Sequence, residues 1–333
     1  MKNKMQLFSD NFPNINSDNE LELLKAQYFQ YDPAYICQAV GGSRQKVKKW
    51  MEDLWVQYEP YADSHFLTDF KHQFAQRSWE LYLGVAFLNR GFKIGNNSGV
   101  GADFDIQDQA GKRIAWIEAI AVRPGDGIDK VPDLIYNTVS SVPVDEMLLR
   151  VASALDTKFK KYSEDLKKGL MMKNEPYVIA LNRSVLGHVE IPPSLIIKAV
   201  FGVGDMTLSF PVPVVGEAPT EKEPTRGWSF LGSVPKKNGQ GIPMNFFENP
   251  EHSHISAVIY SIDHIINSPR EPECIGENFI IVHNPLATNP LTSDVLPFGD
   301  EYRVVGDSIT KTRDRKVNCP KPDAFADLME DLE

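Results

Sequence analysis

Between Arg77 and Val122 the chain reads RSWELYLGVAFLNRGFKIGNNSGVGADFDIQDQAGKRIAWIEAIAV, and four of its acids stand where they could do chemistry. Glu80 falls in a helical pattern, while Asp103, Asp105 and Glu118 fall in two short strand patterns separated by the turn Asp108-Gln109-Ala110-Gly111. An inward carboxylate without a partner is costly in an apolar setting, so acids converging from a helix and a hairpin point to a shared cation. Carboxylate oxygens suit a hard ion such as Mg2+ or Mn2+. Alternate residues of a strand share a face, so Asp103 and Asp105 are expected to point the same way, with Glu118 meeting them from the neighbouring strand.

The elements that must position these groups are legible from periodicity. Phe70, Phe74, Leu81, Val85 and Leu88 recur at helical spacing from Phe66 to about Asn89, and Gly91 closes the pattern as a C-cap residue does. Residues 102–106 and 113–122 read as strands. Met147, Leu148, Val151, Leu155, Phe159, Tyr162 and Leu166 stripe one side of a long helix over 144–168, and YVIAL at 177–181 reads as a buried strand. Helix, three strands, helix and strand in succession predict an α/β (α+β) fold with a central mixed β-sheet flanked by helices.

Around this core, residues 1–64 are expected to form an N-terminal helical region behind a loose polar leader, and 65–200 the α/β core. Residues 201–333 are expected to form a Pro-rich excursion, further strands extending the core sheet, and a charged tail. The excursion from 205 to 253 holds seven prolines, so no helix persists there.

With 333 residues, 42% hydrophobic and 24% charged, the composition is that of a globular protein, and the formal net charge of −10 argues against a surface that coats nucleic acid everywhere. Cys37, Cys274 and Cys319 are far apart and form no CxxC pair, which argues against a zinc ribbon and a disulfide scaffold and favours a reducing, cytoplasmic setting. No run approaches the roughly 20 apolar residues that cross a bilayer, so no membrane partner is expected. No phosphate-binding G-x-x-x-x-G-K-[ST] loop or G-x-S-x-G elbow occurs.

Glu80 on its helix, Gly101-Ala102-Asp103-Phe104 on the first strand and Glu118-Ala119-Ile120 on the second resemble the PD-(D/E)XK, or restriction-endonuclease-like, nuclease superfamily. The resemblance covers about Phe66 to Leu181 and implies a restriction-endonuclease-like core with N-terminal helical and C-terminal extensions, magnesium dependence and a nucleic-acid substrate. Ala102 replaces the motif's proline, and Ile120 stands where its lysine belongs. In some members that lysine comes from an adjacent helix, and Lys158 is the candidate here. Lys158-x-x-x-Tyr162 is similar to the Q-x-x-x-Y helix of the exonuclease branch, and residues at i and i+4 share a helix face.

The resemblance therefore implies Glu80, Asp103, Glu118 and Lys158 as catalytic residues, with Asp103, Glu118 and Asp105 as metal ligands. Arg44, Lys46, Lys48, Lys49, Arg150 and Lys161 are the candidates for phosphate-backbone contact. Two alternatives stay open: a catalytically inactive nuclease-fold module binding nucleic acid or a protein, and an unrelated α/β enzyme acting on a small phosphorylated metabolite. A homodimer or partner subunit is also left open.

Overall fold

The computed structural model describes residues 5–315 and 319, except 11, 14, 16, 41–43, 96–100, 136, 137, 139, 211–222 and 265–269. The turn expected at 96–99, part of the Pro-rich excursion, Lys316 and the acidic end at 323–333 lie outside the described residues.

Helices α1 (Asp18–Gln27), α2 (Pro33–Ala39), α3 (Gln45–Tyr58), α4 (Phe66–His72) and α5 (Phe74–Asn89) lead into β1 (Lys93–Ile94), β2 (Phe104–Gln107) and β3 (Arg113–Ala121). Helix α6 (Val144–Lys167), strand β4 (Tyr177–Asn182) and helix α7 (Leu195–Phe201) follow. Two ribbons come next: β5 (Val203–Ser209) with β6 (Thr225–Phe230), and β7 (Ser233–Pro235) with β8 (Gly241–Pro243). The chain then returns to the main sheet through β9 (Ala257–Ser261), β10 (Ile280–His283), β11 (Asp300–Val305) and β12 (Ser308–Arg313).

Among the described residues the main sheet has eight strands in the order β1-β2-β3-β4-β9-β10-β11-β12. It is mixed: β3, β4 and β9 run parallel, while β1, β2 and β3 form an antiparallel meander. Strand β4 sits between parallel neighbours and under helices, which is why all of Tyr177–Asn182 is buried.

Strand β3 alternates between two layers. Ala115, Ile117, Ala119 and Ala121 join the core built by α3, α4 and α5, whereas Trp116, Glu118 and Ile120 point to the α6 side. Helix α5 is buried almost all round because it lies between the sheet and the N-terminal helices. Gly84 permits this closeness, since a Cβ there would come within 2.5 Å of the Tyr58 ring.

Three expectations need correction. The helix expected over 66–89 breaks at Gln73, because Asp32 caps two helices at once: its Oδ1 accepts from Ala34 N and its Oδ2 from Phe74 N. The polar leader is not loose along its whole length, since Leu7 and Phe8 are buried and both backbone amides donate to the Glu52 carboxylate. Cys274 and Cys319 form a disulfide, so the cysteines no longer argue for a reducing compartment. Among the described residues, no helix is long and apolar enough to cross a membrane.

Candidate active site

Strand β2 ends its pairing at Phe104 opposite Ile117, while β3 runs on to Ala121. The last stretch of β3 therefore has backbone groups on its β2 side that other residues must satisfy. Asp103, just before β2, accepts from Ala119 N through Oδ2 at 2.7 Å. Gln76 of α5 supplies the rest: its Nε2 donates to Ala119 O at 3.1 Å and its Oε1 accepts from Ala121 N at 2.8 Å. The site forms in the notch left by the short strand.

Three of the four expected acids, Glu80, Asp103 and Glu118, meet Lys158 there. Gln76 Nε2 also donates to Glu80 Oε1 at 2.8 Å, and Arg77 Nη1 donates to Glu80 Oε2 at 2.7 Å. Glu118 rises from β3 on the α6 side, almost wholly buried. Lys158 Nζ donates to its Oε1 at 2.6 Å and Lys161 Nζ to its Oε2 at 2.6 Å. Lys161 also donates to Gly101 O at 2.7 Å. Helix α6 thus brings two lysines to Glu118, and Ile120 lines the cleft.

Arg77 is shared with Asp63 at 2.9 Å and with Asp69. Five carboxylates, Asp63, Asp69, Glu80, Asp103 and Glu118, thus gather around the three cations Arg77, Lys158 and Lys161. The crowding shows in the titration of the acids. Burial pushes the Asp103 carboxyl well above the usual carboxylate range, and neighbouring Glu118 and Glu80 push it further. Burial likewise raises the Glu80 carboxyl, against the pull of Arg77. Burial opposes the Lys161 charge, yet the Glu118 carboxylate outweighs it and keeps that ammonium more basic than usual.

A cleft of about 710 Å3 opens over this cluster. Gln76, Arg77, Glu80, Asp103, Lys158 and Lys161 line it, and so do Arg123 and, earlier on α6 than the two lysines, Arg150, Ser153 and Thr157. Glu118 lies behind its two lysines. Among the described residues no three carboxylate, histidine or cysteine side chains stand close enough to hold a metal ion as they are. The donor chemistry around Asp103 nonetheless fits a hard cation: within this cluster the five carboxylates outnumber Arg77, Lys158 and Lys161, and Glu118 and Glu80 are electrostatic neighbours of Asp103. The cleft lining as a whole, with Arg123 and Arg150, is cationic. Asp103 and Glu118 are the groups that would hold it, once Lys161 withdraws from Glu118.

Other expected residues lie elsewhere. Asp105 is opposite Trp116, two positions before Glu118, and its carboxylate is taken by Arg113 Nε at 2.6 Å and by Gln107 Nε2 at 2.7 Å. Arg113 in turn lies over the Trp116 ring and pairs with Glu175, so Asp105 belongs to a separate ion-pair group outside the cleft. Tyr162 does not look into the site either; its ring packs on Tyr177 at 4.3 Å between centroids, and burial lifts its hydroxyl to about 12. Arg44, Lys46, Lys48 and Lys49 do not line the cleft: Arg44 donates to Cys37 O and Lys48 to Ala39 O, while Lys46 and Lys49 are exposed on α3. Of the proposed backbone contacts, Arg150 and Lys161 do line it.

Sequence reasoning missed Gln76 and Arg77, and it placed Lys161 on phosphate rather than on Glu118. Gln76 stands four residues before Glu80, and Lys161 three after Lys158; both spacings put each pair on one helix face. Comparison with family models, curated proteins and solved structures finds no match to this chain.

Proposed function

We propose that the chain is a magnesium-dependent nuclease built on a restriction-endonuclease-like core, hydrolysing phosphodiester bonds of nucleic acid. The observation that carries this reading is the Lys158–Glu118 pair at 2.6 Å beside Asp103 and Glu80, at the open end of β3 and the floor of a cationic cleft. The order α5, β1, β2, β3, α6, β4, with α6 joining two parallel strands, supports the core.

In this reading Asp103 and Glu118 hold the metal, which when bound polarises the phosphate and acidifies water. Lys158 is placed to orient that water or to counter charge developing on the phosphate oxygens. Gln76 and Arg77 fix Glu80, and Gln76 also holds Ala119, whose amide donates to Asp103. Arg150 and Lys161 contribute positive charge to an otherwise acidic protein, where a polyanion needs it.

A second reading is a phosphate-binding module without catalysis, favoured by the two lysines that occupy both Glu118 oxygens. Labelled single- and double-stranded DNA and RNA, incubated with Mg2+ or Mn2+, separate the two. Cleavage by the wild type that disappears in Glu118→Ala supports the nuclease. Binding without cleavage, across metals and substrates, supports the module.

A further inference from the structure

Two arginines of the cleft, Arg123 and Arg150, have no carboxylate partner among the described residues, and Arg150 is the one whose guanidinium the fold seats, against Gly125 and Arg123 O. Arg77, Lys158 and Lys161 are each committed to a carboxylate. Arg150 is not: its Nε donates to Arg123 O at 3.1 Å, and no carboxylate pairs with it among the described residues. Its guanidinium lies flat against Gly125, where a Cβ would come within 2.5 Å of Nη1. Gly125 also has φ +82°, which favours glycine, so the loop is shaped to receive this group. The guanidinium is thereby held in place by its Nε, and its two terminal nitrogens remain for a ligand in the cleft.

Helix α6 sets the distance between Arg150 and Lys161. Arg150, Thr157 and Lys161 fall at i, i+7 and i+11, which keeps them in one line along the helix. Eleven residues correspond to a rise of about 16 Å, roughly that of four to five stacked nucleotides at about 3.4 Å each. Between Arg150 and Lys161, Ser153 lines the cleft with a hydroxyl, while the Thr157 hydroxyl donates to Ser153 O within the helix at 2.7 Å. Among the described residues lining the cleft none is aromatic, so the wall offers no stacking platform for bases. Its volume is that of a small-ligand pocket, which suits one strand rather than a duplex.

Resting on the nuclease reading, we propose that Arg150 is a distal phosphate subsite, gripping the backbone of a single strand several nucleotides from the bond held over Asp103 and Glu118. The substrate is then an oligonucleotide strand recognised through its phosphates and not through its bases. A mononucleotide or a small phosphorylated metabolite cannot span that distance.

Fluorescence anisotropy in EDTA, which keeps the strand intact, tests this with labelled oligothymidylates of two and eight nucleotides. Arg150→Gln is expected to weaken octamer binding about tenfold and to leave the dinucleotide unchanged. The slope of log affinity against log salt should fall by about 0.7, one phosphate contact on a single strand. Arg150→Lys, which keeps charge and stem but loses the fork, should recover part of the loss. Equal losses for both lengths, or an unchanged octamer affinity in Arg150→Gln, would overturn the subsite and leave the nuclease reading standing. A wild-type protein that binds neither strand would overturn both.

Discussion

Lys158 of α6 and Glu118 of β3 are joined by a 2.6 Å ion pair, forty positions apart in the chain and nearly shielded from water. Truncating one partner of such a pair leaves the other charge buried, which costs about 3–5 kcal/mol when no second partner exists. Lys161 still serves Glu118 here, so Lys158→Met should lose about 2 kcal/mol in urea denaturation. On the proposed nuclease function, cleavage should fall below detection at the same time. In the double variant with Glu118→Gln the stability losses should be less than additive, because the two changes remove one interaction. Additive losses would mean that the pair contributes nothing of its own.

Gln76→Leu isolates the support of the strand edge. Its amide satisfies Ala119 O, Ala121 N and Glu80 Oε1 together, and both alanines are buried. Leaving such groups unpaired costs about 1–3 kcal/mol each where water cannot reach them. The substitution should lower stability by roughly that amount for one group, since the cleft admits water to the others. If the midpoint of unfolding does not move, the amide is not holding this edge.

How much of this was readable in the chain depends on how far apart the partners lie. Helix α6 follows from its own apolar stripe and spans Val144–Lys167, close to its expected bounds, and it carries Lys158 to Glu118. Asp105 misleads because alternation describes only which face it takes; Arg113, eight positions on, decides where its charge is neutralised. The break before α5 and the burial of Leu7 and Phe8 depend on Asp32 and Glu52, which lie more than forty positions from the amides of Phe74, Leu7 and Phe8 that they bind. Such pairings leave no periodic trace, and neither does the Cys274–Cys319 disulfide.

Lys161 should compete with a metal for Glu118. Its ammonium bonds Glu118 Oε2 and Gly101 O, an oxygen-lined seat close to Asp103, yet its side chain remains partly exposed and able to swing away. Removing it in Lys161→Met removes the competitor. Titration calorimetry with Mn2+ should then show affinity about tenfold tighter than in the wild type. Weaker binding would make Lys161 a helper of the metal rather than a stand-in for it.

The acids predict how stability varies with pH. Burial first, then Glu118 and Glu80, raise the Asp103 carboxyl in the folded state above its unfolded value. The folded protein therefore holds this proton more tightly than the unfolded chain does. As pH rises from about 4 through the raised folded value, the unfolded state gives up its proton first and stability declines. Asp103→Asn stays neutral throughout and keeps an oxygen to accept from Ala119 N, so it should escape that decline. Its melting temperature should match the wild type near pH 4 and exceed it as the pH rises through the raised folded value of Asp103, levelling off above it. Millimolar Mg2+ should raise the wild-type melting temperature and leave Asp103→Asn nearly unmoved, because the cation replaces the proton on the carboxylate that the variant lacks. An Asp103→Asn protein that melts below the wild type at pH 8 without metal would show that the charge of Asp103 is already compensated by the lysines around it.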